Sequence, residues 1–124
     1  MKNNQIAFIT GASKGIGYSI AKAFVLNGTT VACASRNLED LNKTVEKLKS
    51  LGGNAIPVQL DVSDLSNFKS AVDYTIEKFE KIDILVNNAG IVKDNLILRM
   101  KEEDWDSVIT VSYTHLTLPT ILRV

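Results

Sequence analysis

Apolar residues along this chain change their spacing at intervals, from short near-continuous runs to stripes that recur every three or four positions. The runs read as buried strands, at Gln5 to Thr10, Thr29 to Ser35, Asn54 to Leu60 and Ile82 to Asn87. The stripes read as helices. The first covers about Gly15 to Asn27, with Ile16, Ile20 and Phe24 four apart and Gly28 where a left-handed cap is wanted. The second opens behind Asn37, aligns Leu38, Leu41, Val45 and Leu48 on one inward face, and stops at Gly52-Gly53. The third follows a cap at Ser63 and repeats the pattern with Leu65, Phe68, Val72, Ile76 and Phe79. Strands that alternate with helices predict an α/β architecture, a parallel sheet covered by helices.

The segment behind the first strand, Thr10-Gly11-Ala12-Ser13-Lys14-Gly15-Ile16-Gly17, carries the candidate chemistry. A strand that ends in glycines and restarts as a helix builds a pocket for a dinucleotide pyrophosphate. Gly11 allows the sharp turn, Gly15 lets the backbone approach the phosphates, and Gly17 lets the new helix pack closely. Free N–H groups of the first turn, with the positive end of the helix dipole, face the anion, and Ser13 can add a hydroxyl donor. The rival phosphate loop is excluded by spacing, since the fifth residue after Gly11 is Ile16 and no Gly-Lys-Ser/Thr follows. Right-handed crossovers then give a Rossmann-like three-layer fold with strand order 3-2-1-4. Pro57 supports that order, because a proline inside the third strand is tolerated mainly at a sheet edge.

Composition narrows the partners. At 124 residues and 45% hydrophobic content the chain suits one globular domain. Fourteen basic residues cancel fourteen acidic ones without a basic stripe, so nucleic acid and anionic membranes are not expected partners. No apolar stretch reaches the ~20 residues of a bilayer span, and Met1 to Gln5 runs straight into a strand, so the expected location is cytoplasmic. Cys33 stands alone in an apolar strand and reads as a small buried hydrophobe. No metal site is expected.

Residues from about 1 to 111 resemble the N-terminal half of the short-chain dehydrogenase/reductase family. The family's cofactor motif stands here as Thr10 to Gly17, and its second hallmark as Asn87-Asn88-Ala89-Gly90. The resemblance implies that Asn87 braces the sheet while Asn88, Ala89 and Gly90 line the cofactor cleft, and that Asp61 and Val62 contact the adenine. A bland reading of Asp61 is an acid at a helix start. The run Gly90 to Leu96, then Arg99-Met100 and Trp105, is similar to bacterial 3-oxoacyl-acyl-carrier-protein reductases. Acetoacetyl thioester reductases and sugar or polyol dehydrogenases carry similar stretches. Trp105, Val108 and Ile109 by themselves read as a core anchor.

The choice of nicotinamide cofactor turns on charge near the adenine ribose. An NAD site wants an acid about 20 residues past the glycine turn, and a 2′-phosphate wants cations. Arg36 stands where the acid would be and Lys14 lies in the glycine loop, two cations with no carboxylate, which points to NADP(H). The family's chemistry needs a later Ser, a Tyr-x-x-x-Lys pair and an Asn on the helix after the fourth strand. That spacing occurs here at Tyr18 with Lys22 and at Tyr74 with Lys78, on helices away from the nicotinamide end, and Ser112 stands where the Asn is due. No catalytic residue is therefore assigned. Residues 111–124 resemble a translated sequencing adapter and are expected to be a non-native tail, with residues 1–110 forming the NADP-binding half of a Rossmann-fold reductase; the alternative is a natural β-like tail whose alternating Thr and Leu pair as a strand. His115 and Tyr113 then carry no role, and Ile82 to Val86 is left as an apolar edge. The resemblance implies an acyl-carrier-bound or small thioester substrate and a homotetramer for the parent protein. The alternative is a non-catalytic half-domain that binds NADP(H).

Overall fold

The computed structural model describes residues 4–61, 65–88 and 120–123. Its elements run β1 (Ile6–Thr10), α1 (Gly15–Leu26), β2 (Thr30–Ser35), α2 (Leu38–Ser50), β3 (Ala55–Gln59), α3 (Leu65–Phe79), β4 (Ile84–Asn87) and β5 (Thr120–Arg123). Among the described residues the strands form a parallel sheet of order β3-β2-β1-β4-β5. The expected order 3-2-1-4 holds, and Pro57 lies in the edge strand β3 opposite Cys33.

Alternation along the strands divides the core between two faces. Ala7, Ile9, Val31 and Cys33 pack with Ala21 and Val25 of α1 and with Leu41, Val45 and Leu48 of α2. Phe8, Ala32 and Ala34 turn the other way and pack with Phe68, Val72 and Ile76 of α3. Phe8 and Phe68 meet edge to face, 6.3 Å between ring centroids. Burying each large apolar side chain of this kind contributes about 1.5–3 kcal/mol, so both layers are needed to hold the sheet. The layers place the C-terminal ends of β1, β2, β3 and β4 along one rim.

Two helical stripes differ from the sequence expectation. On α1 the buried residues are Gly17, Ala21 and Val25, while Ile16 is 62% exposed and Ile20 and Phe24 are only partly buried. Small residues let α1 approach the sheet closely, so the contact face is rotated one position from the bulkier stripe. On α2 the contact begins at Leu41, and Leu38 stays exposed in the first turn. Gly28 does cap α1 in the left-handed region, at φ 87°. The Ser63 cap expected before α3 lies outside the described residues.

The apolar edge expected at Ile82 to Val86 is overturned. β4 pairs with β5, Ile84 opposite Thr120 and Asn87 opposite Arg123, and the Thr120 N–H donates to the Asp83 carbonyl at 2.9 Å. The backbone groups that would have faced solvent are occupied by a ladder.

Candidate cofactor site

The rim is built first by the glycine turn. Thr10 ends β1 fully buried, and the chain leaves the strand at Gly11 with φ 64°. The loop is tied to the end of β2, because the Ala12 N–H donates to the Ala34 carbonyl at 3.3 Å and the Ser13 hydroxyl donates to Ser35 Oγ at 3.2 Å. Ser13, expected as a donor to phosphate, therefore has a protein partner here. Gly15 has φ 54°, and a Cβ built on it meets nothing within 4 Å, which leaves open space above the loop. A Cβ on Gly17 would instead overlap the Gly11 carbonyl oxygen and come 2.5 Å from Asn88 Nδ2. Its bareness is steric.

The starts of α1 and α2 on this rim differ in how they are satisfied. α2 is capped by Asn37, whose Oδ1 accepts the Asp40 N–H at 3.0 Å, and carries Glu39 and Asp40 in its first turn. α1 starts behind Lys14 in extended conformation, with no side-chain cap and no acid in its first turn. Its dipole and first-turn N–H groups are left unopposed by any acid or cap of the helix itself, and Ile16 sits exposed among them. That chemistry fits a diphosphate.

At the outer end, Arg36 after β2 and Asp61 after β3 line one cleft of about 370 Å³ together with Gln59 and Asn67. Gln59 Nε2 donates to the Arg36 carbonyl at 3.1 Å, and the Asp61 N–H donates to Asn67 Oδ1 at 2.6 Å. Two side chains thus hold the two strand ends on either side of a space of ligand size. The expectation of two cations with no carboxylate needs correction, since Asp40 Oδ2 lies 4.0 Å from Lys14 Nζ. The first turn of α2 brings an acid beside Lys14, and Asp61 lines the cleft with Arg36.

At the inner end the Thr10 hydroxyl lies 3.4 Å from both the Val86 carbonyl and Asn87 Oδ1, and it accepts the Asn88 N–H at 2.9 Å. Asn87 is buried and braces β1 against β4, as the resemblance implied. Gly11, Gly17 and Asn88 are brought together, whereas Val62, Ala89 and Gly90 lie outside the described residues. Thr10, Ser35, Asp40, Gln59 and Asn67 were missed as contributors. Thr10 opens the glycine motif and could have been found there; the others become neighbours of the site only once the strands are aligned.

Tyrosines of the described residues lie away from this rim's inner end. Tyr18 packs toward α2, with Lys47 Nζ 5.8 Å from its ring centroid, and Tyr74 is 47% exposed on α3, across the sheet. Cys33 is buried, and burial pushes its thiol up to about 12. Among the described residues no cluster of His, Cys, Asp and Glu could hold a metal ion, and no helix is long and apolar enough to cross a membrane.

A family model described as short chain dehydrogenase matches residues 5–120. The chain belongs to the short-chain dehydrogenase family. It is 42% identical over 108 residues to the 3-oxoacyl-acyl-carrier-protein reductase FabG of Thermotoga maritima, covering 87% of this chain and 44% of the relative. It is 44% identical over 117 residues to FabG of Chlamydia pneumoniae, covering 93% and 47%. The chain thus spans about half the length of the curated relatives it matches. Among solved structures, a hydroxysteroid dehydrogenase from Escherichia coli superposes with a TM-score of 0.79 at 27% identity, covering 96% of this chain and 56% of that one. An actinorhodin polyketide ketoreductase with NADPH gives 0.71 at 30% identity, covering 87% and 42%.

Proposed function

We propose that this chain is the coenzyme-recognising half of an NADPH-dependent oxidoreductase that reduces the 3-oxo group of an acyl thioester in fatty-acid synthesis. The observation that carries the reading is the start of α1 at Gly15, uncapped and free of acids, with Gly11 before it and Gly17 in its first turn. FabG relatives named for an acyl-carrier-protein substrate, and a ketoreductase neighbour solved with NADPH, support the substrate class and the coenzyme.

In this reading the N–H groups of Gly15, Ile16 and Gly17 hold the diphosphate. Arg36 and Lys14 take the 2′-phosphate, and Arg36 also stacks on the adenine. Asp61 and Val62 border the base, while Asn88, Ala89 and Gly90 line the path toward the nicotinamide. When bound, the reduced nicotinamide supplies a hydride to the carbonyl carbon, and with a proton on the oxygen a 3-oxo group becomes a 3-hydroxy group. The 124 residues place no Tyr-x-x-x-Lys pair on that path, so the chain by itself binds coenzyme without turnover. Residues 111–124 as a foreign tail, a cytoplasmic location and a homotetrameric parent assembly belong to the same proposal.

Calorimetric titration with NADPH tests it. Binding is expected, and Arg36→Asp should weaken it about tenfold or more while affecting NADH less. No heat with either coenzyme at millimolar concentration overturns the reading. NADPH oxidation with acetoacetyl thioesters by this chain would refute the absence of turnover.

A further inference from the structure

We propose that Asp40 is a specificity-determining residue that narrows the preference for the 2′-phosphorylated coenzyme by engaging Lys14. The inference rests on the cofactor reading above and concerns how sharply the site separates NADPH from NADH. Lys14 is the residue before α1 and Asp40 is the third residue of α2, and their charged atoms lie 4.0 Å apart. The two segments are neighbours because the glycine loop is tied to the end of β2 through Ala12 with Ala34 and Ser13 with Ser35.

The partners are unequally held. The Asp40 N–H is fixed on Asn37 Oδ1, and its carbonyl accepts the Thr44 hydroxyl at 2.9 Å. Lys14 is 84% exposed on a flexible four-carbon stem. A contact this long and wet does little to orient the lysine, so cancellation of its charge is the larger effect. A 2′-phosphate held by Arg36 and Lys14 then meets a lysine whose charge is partly offset by Asp40. The coenzyme without that phosphate brings fewer negative charges to Lys14 and loses less from Asp40. Glu39, one residue earlier on the same turn, is paired with Lys43 at 3.9 Å and does not share the lysine.

The experiment measures dissociation constants of NADPH and NADH by calorimetry on the 124-residue chain at 50 and 200 mM salt, for wild type, Asp40→Asn and Glu39→Gln. Asp40→Asn is expected to tighten NADPH about two- to fivefold, more at the lower salt, and NADH by clearly less. Glu39→Gln removes the same charge from the same turn and should leave the ratio of the two constants as in wild type. In a Lys14→Ala background the gain from Asp40→Asn should shrink below about twofold, which assigns it to the lysine. Asp40→Ser, a residue suited to helix starts, provides the same charge removal if the amide variant folds poorly. Equal ratios in wild type and both Asp40 variants overturn the inference while leaving the cofactor reading intact. So does an equal gain from Glu39→Gln, or a gain that persists without Lys14. A wild-type chain that binds neither coenzyme overturns both.

Discussion

Gly15 and Gly17 sit two positions apart and are bare for different reasons, which separates their substitutions. Gly17→Ala forces a methyl into the Gly11 carbonyl and toward Asn88, so it should lower stability by about 1–3 kcal/mol or more and displace the loop. Gly15→Ala meets open space and costs only the strain of a left-handed residue, about 1–2 kcal/mol. Its larger effect should fall on coenzyme affinity, since the methyl stands where the diphosphate would approach. Urea unfolding and NADPH titration of both variants check this; equal stability losses would contradict it. Cys33 offers a second test at this scale. Its thiol is raised to about 12 in the folded chain, above the ordinary value near 9, so the unfolded chain releases this proton first as pH rises. The associated stability is complete below pH 9 and is lost progressively toward 12. Wild type should therefore lose about 1–2 kcal/mol more than Cys33→Ala between pH 8.5 and 10.5. In the folded state the thiol should not react with an aromatic disulfide reagent.

Helix ends on this chain are unevenly built, and that shapes what each element tolerates. α2 has its Asn37 cap, and Asn37→Ala should cost about 1 kcal/mol of unfolding free energy in urea titration. α3 ends into Glu80 at φ 72°, a left-handed position that favours glycine, with the Glu80 N–H donating to the Ile76 carbonyl at 2.6 Å. Glu80→Gly should raise stability by about 0.5–1 kcal/mol in thermal or urea unfolding, and a loss would contradict the strain. The stripe on α1 shows why apolar spacing located the helix but not its contact face. Ile16, Ile20 and Phe24 have the right period, yet Gly17, Ala21 and Val25 make the contact because the sheet is too near for larger side chains. Periodicity reports which positions share a face; the distance to the neighbouring layer decides which face is used.

At the scale of the molecule, four strands, their order and the glycine turn were legible because each has a local cause: apolar runs, a proline confined to the edge, glycines at φ above zero. The hydrogen bonds that close the glycine turn were not, since Ser13 with Ser35 and Thr10 with Asn88 join residues whose proximity comes from strand register. β5 belongs to the same class. Alternating Thr and Leu just before it allowed a strand, but nothing local names its partner, and residues 120–123 form a parallel ladder with β4. The ladder protects the backbone of Ile84 to Asn87, and Asn87 in turn braces Thr10 at the glycine turn. A chain ending after Pro119 removes four paired positions, which at ~1 kcal/mol per hydrogen bond costs roughly 2–4 kcal/mol. Its β4 amides should exchange faster with deuterium, and light scattering should rise with concentration as the bare apolar edge pairs between molecules. Exchange in Ile84 to Asn87 that matches the full chain would show that another segment guards this edge. The loss should extend to the glycine turn only as far as Asn87 loosens, so the Ala12 N–H, held by the Ala34 carbonyl, keeps its protection longer than the Asn88 N–H, held by the Thr10 hydroxyl.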